Sequence, residues 1–256
     1  MTNKKNLQDE SLADITIDPE ILAKELAVEL ETDPLEEIDN DSFSNKNLNI
    51  TSECDQALAL LKGDREERIQ GLRIFCEYRD KRSFPLLLPL LDQPCPVERM
   101  SAVYALGRNP CPSAVQKLVT LLETDDNAYV RRATAWSLAN YDNQVVLKPL
   151  INALKNDVAS VRLWSSSSLA EIGSVSASNA QLAAEQLLIS LKIDNEPVVR
   201  SNCIWSLCRL FEKLNSTLQE SFVDECTKIA LFDKEPSVME EAKTTFDSMG
   251  MQGFYN

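Results

Sequence analysis

Histidine is absent from this chain, and the side chains left with chemical potential are seven cysteines and a recurring set of aromatic and arginine residues. Without an imidazole there is no His general base, no Ser–His–Asp or Cys–His nucleophile system, no His-ligated haem and no facial-triad iron site. The cysteines are Cys54, Cys76, Cys95, Cys111, Cys203, Cys208 and Cys226. Their number is odd and no Cys-x-x-Cys occurs, so the spacing suggests neither a disulfide framework nor a zinc site. Most are expected to be small apolar fillers in helices. No catalytic, cofactor-binding or metal-binding residue is assigned.

The aromatic and arginine residues could bind rather than react, and their spacing comes from a repeat. Val130-Arg-Arg-Ala-Thr-Ala-Trp-Ser-Leu-Ala139 aligns with Val161-Arg-Leu-Trp-Ser-Ser-Ser-Ser-Leu-Ala170 and with Val199-Arg-Ser-Asn-Cys-Ile-Trp-Ser-Leu-Cys208. Glu98–Gly107 fits the same frame, Glu67–Cys76 fits it weakly, and Val238–Asp247 is a decayed last copy. The anchors are Arg68, Arg99, Arg131, Arg162, Arg200 and Met239, separated by 31, 32, 31, 38 and 39 residues, the size of a helix pair. Positions one, five and nine after an anchor lie near one another on a helix. They read Met100-Tyr104-Arg108, Arg132-Trp136-Asn140, Leu163-Ser167-Glu171 and Ser201-Trp205-Arg209. Tyr, Trp and Arg are the residues enriched at interface hot spots. The candidate partner-binding stripe is therefore Tyr104, Arg108, Arg132, Trp136, Asn140, Glu171, Trp205 and Arg209. The alternative is that Tyr104, Trp136 and Trp205 pack between repeats, as Trp164 is expected to. The anchor arginines Arg99, Arg131, Arg162 and Arg200 are expected to hydrogen-bond acidic turns of neighbouring repeats.

The elements that must position this stripe are also legible. Each anchor from Arg99 onward follows a Leu-rich segment (84–91, 113–122, 145–154, 180–191 and 218–231). An acidic turn comes next, containing Asp92, Asp125-Asp126, Asp157, Asp194 or Asp233. Asp caps free N–H groups, and Pro96, Pro197 and Pro236 pre-set φ, so each turn ends one helix and starts another. The residue before the anchor and the third and seventh after it share a face and are apolar or small in the clear copies, so that face packs inward. The extra residues of the last two spacings fall at 173–179 and 212–219 and predict longer connections between units.

Few aromatics and few glycines suit Ala/Leu-rich helices. The predicted fold is all-α, an α-solenoid of HEAT-like helix pairs over residues 51–256. Ahead of it, residues 1–50 carry 13 Asp/Glu against 4 Lys, out of a net charge of −14. They are expected to form a largely disordered acidic arm with one amphipathic helix over 16–30, capped by Asp18, opened by Pro19 and striped by Leu22, Leu26 and Leu30. That helix would cap the solenoid or dock to a partner. The acidic balance argues against nucleic acid, which needs a basic face. No apolar run is long enough to span a membrane, and the N-terminus reads as neither a secretory signal nor a transit peptide, so a cytoplasmic protein is expected.

The segments Tyr129-Val-Arg-Arg-Ala-Thr-Ala-Trp-Ser-Leu-Ala-Asn-Tyr141 and Arg99-Met-Ser-Ala-Val-Tyr-Ala-Leu-Gly-Arg-Asn-Pro110 resemble the PBS-lyase HEAT-like family, over roughly residues 60–245. That family includes the phycobilin lyases of cyanobacteria and many members that are not lyases. The resemblance is closest to a cyanobacterial scaffold branch associated with iron–sulfur cluster assembly proteins. It implies an adaptor that binds other proteins along the concave face lined by second helices, without a cofactor of its own. The alternative it implies is a bilin lyase or chromophore chaperone of the phycobilisome, but Ser165–Ser168 stand where lyases carry bulky residues. The di-iron deoxyhypusine hydroxylases share the architecture but require His-Glu pairs, which this chain lacks. Against the filler reading, Cys95 and Cys111, each beside proline, are the two thiols that could be exposed and able to touch a metal cluster in transit or a bilin.

Overall fold

Short polar residues and prolines open the helices of this molecule. The computed structural model describes residues 43–141 and 144–251, so the arm expected over residues 1–50 and its helix over 16–30 lie almost wholly outside the described residues. The first helix, α1 (Phe43–Leu60), runs across residue 50. The chain divides into Met1–Leu48 and Asn49–Asn256, and the second unit holds the helix pairs. After α1 come α2 (Arg65–Glu77), α3 (Phe84–Leu87), α4 (Pro96–Arg108), α5 (Val115–Thr124), α6 (Ala128–Leu138) and α7 (Leu147–Asn156). Then follow α8 (Ala159–Ser174), α9 (Ala177–Ile193), α10 (Pro197–Leu210), α11 (Ser216–Phe232) and α12 (Pro236–Ser248), with no strand among the described residues.

Asp64 accepts from the backbone N–H groups of Glu66 and Glu67, and its own N–H donates to Glu67 Oε2 at 2.8 Å, a reciprocal cap on α2. Asn127, Ser176 and Asn215 cap α6, α9 and α11 through their side-chain oxygens. Pro96, Pro197 and Pro236 begin α4, α10 and α12, where a missing N–H costs no helix bond.

The even-numbered helices from α4 to α12 pack side by side and carry the anchors. Their inward face is the expected one. The residues before the anchors, Val130, Val161, Val199 and Val238, are buried. So are the third residues after them, Ala102, Thr134, Ser165, Cys203 and Ala242. The seventh residues, Phe75, Leu106, Leu138, Leu169, Leu207 and Phe246, are wholly buried. Small side chains at the middle position let each helix approach its neighbour, and the leucines of the first helices, such as Leu118, Leu150 and Leu187, close the core.

The anchor arginines form a ladder. Arg99, Arg131, Arg162 and Arg200 reach Asp125, Asp157, Asp194 and Asp233 of the next repeat at 2.7 Å. In each case Nε and Nη2 donate to the two carboxylate oxygens, a bidentate pair. Nη1 turns back to a carbonyl of its own turn, as from Arg131 to Asp125 O at 2.8 Å. Each Asp also accepts a backbone N–H just beyond it, as Asp125 does from Asn127. One carboxylate thus shapes a turn and receives the preceding repeat.

Three features are not contained in the sequence reading. Arg68 pairs with buried Glu98, at 2.7 Å, and not with Asp92. The turn here holds Gln93 six residues before its anchor, where the Arg131 and Arg200 copies hold Asp125 and Asp194. Asp92 is thereby displaced outward to meet Lys117. The Leu-rich segment 84–91 is broken into α3 and a 3₁₀ turn, Leu88–Asp92, because Pro85 and Pro89 each remove a donor. Residues 173–179 are not a long connection. Only Val175 and Ser176 separate α8 from α9, and the extra residues lengthen the helices to 16 and 17 residues. Ser176 caps α9, Asn179 Nδ2 donates back to Ile172 O, and Gly173 admits Leu210 to 3.0 Å from where a Cβ would stand.

Candidate protein-binding face

The eight stripe residues all lie on the second-helix layer and none is buried. α4 supplies Tyr104 and Arg108, α6 and the turn after it supply Arg132, Trp136 and Asn140, α8 supplies Glu171, and α10 supplies Trp205 and Arg209. The ladder at the start of these helices holds their rotation, and the stripe falls at the first, fifth and ninth residues after each anchor.

Two clusters result. In the first, the Tyr104 and Trp136 rings meet at 5.3 Å between centroids with a tilt of 55°. The Arg108 guanidinium lies 5.7 Å from the Trp136 centroid, within cation–π range. Arg132 Nη2 approaches the Tyr104 hydroxyl at 3.4 Å, and its guanidinium stands 5.9 Å from the ring of Tyr129, itself exposed. Trp136 has its seat on Gly107, since a Cβ there would fall 2.5 Å from its Cζ3. This tryptophan therefore packs between repeats and is half-buried. In the second cluster, Arg209 stands 4.9 Å from the Trp205 centroid, and its Nη2 donates to Glu171 at 2.8 Å. Trp205 is 38% exposed, enough to count as surface and not as core.

The clusters do not merge, because α8 places Leu163 and Ser167 between them. Asn140 joins neither cluster and donates only to Ser137 O, at 3.4 Å. Trp164 packs against the core, as expected. Sequence reasoning passed over Asn202, whose Nδ2 donates to Leu163 O, Ser166 Oγ and Ser167 Oγ, tying α10 to α8. It also passed over Asn109, whose amide donates to Phe75 O and Tyr78 O and accepts from Asp80 N, closing the end of α2. Both fall outside the repeat frame, so periodicity gave no signal for them.

The cysteines are largely the expected fillers: Cys54, Cys111, Cys203 and Cys226 are buried. Burial pushes the thiols of Cys76 and Cys226 up to about 12, so they stay protonated and unreactive at neutral pH. Cys111 is one of these fillers, and the alternative of an exposed thiol does not hold for it. It packs under Tyr141, whose hydroxyl donates to Leu106 O at 2.9 Å, and its Sγ meets Ser113 Oγ at 2.9 Å. Cys95 keeps partial exposure. The free N–H groups at the start of α4 hold its thiol below the usual range, helped by Arg65, whose Nη2 donates to Sγ at 3.0 Å. Among the described residues no three His, Cys, Asp or Glu side chains are grouped to hold a metal, and no helix is long and apolar enough to cross a membrane.

A family model for HEAT repeats matches residues 55–139 and 115–208. No curated protein matches the chain in sequence. Among solved structures, the chain is similar to the designed armadillo repeat protein YIII(Dq)4CqI, with a TM-score of 0.52 and 18% identity. That match covers 78% of this chain and 99% of the designed one. Yeast importin-beta (Kap95p) matches with a TM-score of 0.55 and 16% identity, over 92% of this chain and 33% of importin-beta. A Kap95:Nup1 complex gives a TM-score of 0.56 at 16% identity, again over 92% of this chain and 33% of the other. At these identities the likeness concerns the fold.

Proposed function

We propose, from the premise that this chain belongs to the HEAT-repeat family, that it is a scaffold binding other proteins along the exposed face of its second-helix layer. The observation that carries this reading is the stripe itself. Aromatic and arginine residues recur in register on α4, α6 and α10 and none of them is buried, where a helical layer needs only polar cover. The second helices pack on one another more extensively than the first helices do, as they would on the inside of a curve, so the stripe would line a concave face. One solved structure of similar fold concerns designed armadillo repeats for modular peptide recognition.

The resemblance of Tyr129–Tyr141 and Arg99–Pro110 to PBS-lyase HEAT-like repeats supports a cyanobacterial, cytoplasmic setting and a role beside iron–sulfur cluster assembly proteins. The competing bilin-lyase reading is weakened by the burial of Cys111 and by Ser165, Ser166 and Ser168, which are buried where the lyase pattern calls for bulk. Co-expression with bilin biosynthesis should yield a colourless protein, and bound visible-range pigment would favour the lyase.

A photo-crosslinking residue placed at Asn140 or Trp205 should capture a protein partner, and one placed at Leu182 on exposed α9 should not. With that partner, Trp136→Ala should weaken binding by on the order of 2 kcal/mol, roughly thirtyfold. A Trp136→Ala protein whose folded fraction still binds at full affinity would remove the stripe from the interface.

A further inference from the structure

The two clusters use the same device and differ in one component. Arg108 and Arg209 occupy the same register, nine residues after Arg99 and Arg200, and each stands over a tryptophan ring. Arg209 holds a carboxylate, Glu171, supplied by the preceding second helix. Arg108 holds none, and among the described residues it makes no ion pair. The residue in register with Glu171 on its preceding helix is Glu77, nine after Arg68, and this exposed carboxylate does not come within ion-pair distance of Arg108. Cys76, whose thiol feels the Arg108 charge, stays neutral because burial outweighs that charge. Arg73 and Arg79 likewise make no ion pair among the described residues, but of the two arginines there that lie over a tryptophan ring only Arg108 lacks an acid.

Resting on the scaffold reading, we propose that the Arg108–Trp136 cluster is a receptor for a carboxylate of an acidic partner segment, one that carries Asp or Glu beside an apolar side chain. Glu171 on Arg209 shows which ligand this device accepts. Trp136, fixed by Gly107 and Tyr104, holds the guanidinium plane in place before the partner arrives, which lowers the ordering cost of binding. Arg132 beside Tyr104 brings a second positive charge to the same seat. Arginine suits this site better than lysine, because its planar fork stacks on a ring and still offers paired donors to a carboxylate. The open rings of Tyr104 and Trp136 would take the neighbouring apolar side chain.

Fluorescence anisotropy on the full chain tests this with a short fluorescein-labelled peptide in which Glu alternates with Leu, and with its Gln counterpart. The Glu peptide should bind more tightly than the Gln peptide, with an affinity that falls as salt rises. Arg108→Gln should lower that affinity roughly tenfold, the scale of one charge-assisted contact. Glu171→Gln should raise it, because Arg209 is then released to accept a second carboxylate. Equal binding of the two peptides, or an Arg108→Gln protein that binds the Glu peptide like wild type, overturns the carboxylate assignment. The wider scaffold reading would survive, since it depends on the cross-linked partner. Should Arg108→Gln melt early, Glu171→Gln still decides, and no gain in affinity there overturns the internal comparison.

Discussion

Arginine does two different things at the two ends of the same helices. At the start of α4, α6, α8 and α10 it is clamped into an Asp of the next repeat, with both carboxylate oxygens and at least one turn carbonyl engaged. Towards the far end, Arg108 and Arg209 lie over tryptophan rings, and only Arg209 has an acid. The difference lies in solvation. The most buried rung, Arg200–Asp233, leaves 5% and 8% of its side chains exposed, whereas the Arg209–Glu171 pair leaves 46% and 41%. A dry ion pair is structural because either half alone is a buried charge. A wet arginine on a ring remains exchangeable and can serve a partner.

The largest effect should come from breaking the driest rung. Asp233→Ala strands the Arg200 guanidinium and removes the acceptor of Glu235 N–H, so stability should fall by about 3–5 kcal/mol. Asp92→Ala, which removes the exposed partner of Lys117, should cost no more than about 1 kcal/mol. Urea unfolding of the two variants side by side measures the contrast. Equal midpoints would mean that the ladder does not hold the repeats together.

The ladder was readable from sequence because its two halves obey the repeat: an anchor every helix pair and an Asp in every turn. The reading did not extend to Arg68–Glu98, where a single displaced acid, Asp92 beside Gln93, changes partner while the composition of the turn hardly changes. It failed at 173–179. Ser, Asn and Gly are there used for a cap, a carbonyl closure and a close helix approach, and all three uses occur within or at the edges of helices. Burial of the second-helix face was legible from period alone, down to Phe75 and Phe246 in the weak terminal copies. The composition of the stripe was legible too, but not its division into two clusters. That division depends on what α8 presents between them and on a glycine, Gly107, that makes room for a ring one repeat away. Neither relation is expressed in a spacing.

Acid should weaken the ladder. Burial raises the Asp194 and Asp233 carboxyls, but hydrogen bonds from Arg162 and Arg200 and from backbone N–H groups outweigh it and hold both below the usual range. A folded value below the unfolded value means that the unfolded chain takes up protons first. The stabilisation is therefore complete above about pH 5 and lost as pH falls through about 4 and below. Thermal melts between about pH 6 and pH 3 should show this decline. Asp233→Asn, less stable at neutral pH, should lose less on acidification, and a parallel decline in both proteins would contradict the assignment.

The smallest effect on stability should come from Glu171→Gln, and that smallness is what separates the two ends of the helix. The pair it breaks is about half exposed on each side, so the Coulomb gain is screened and the two long side chains lose entropy in meeting. The ring contact of Arg209 with Trp205 at 4.9 Å remains after the charge is removed. The expected cost is below about 1 kcal/mol, a melting shift of no more than a few degrees for a domain of this size. A cost approaching that of Asp233→Ala would show that Arg209 is as structurally committed as Arg200. The contrast between clamped and stacked arginines would then disappear, and with it the reason to regard the stripe as available to a partner. A small cost leaves Arg209 a surface group with a replaceable acid, and Arg108 the same group with its place for an acid open.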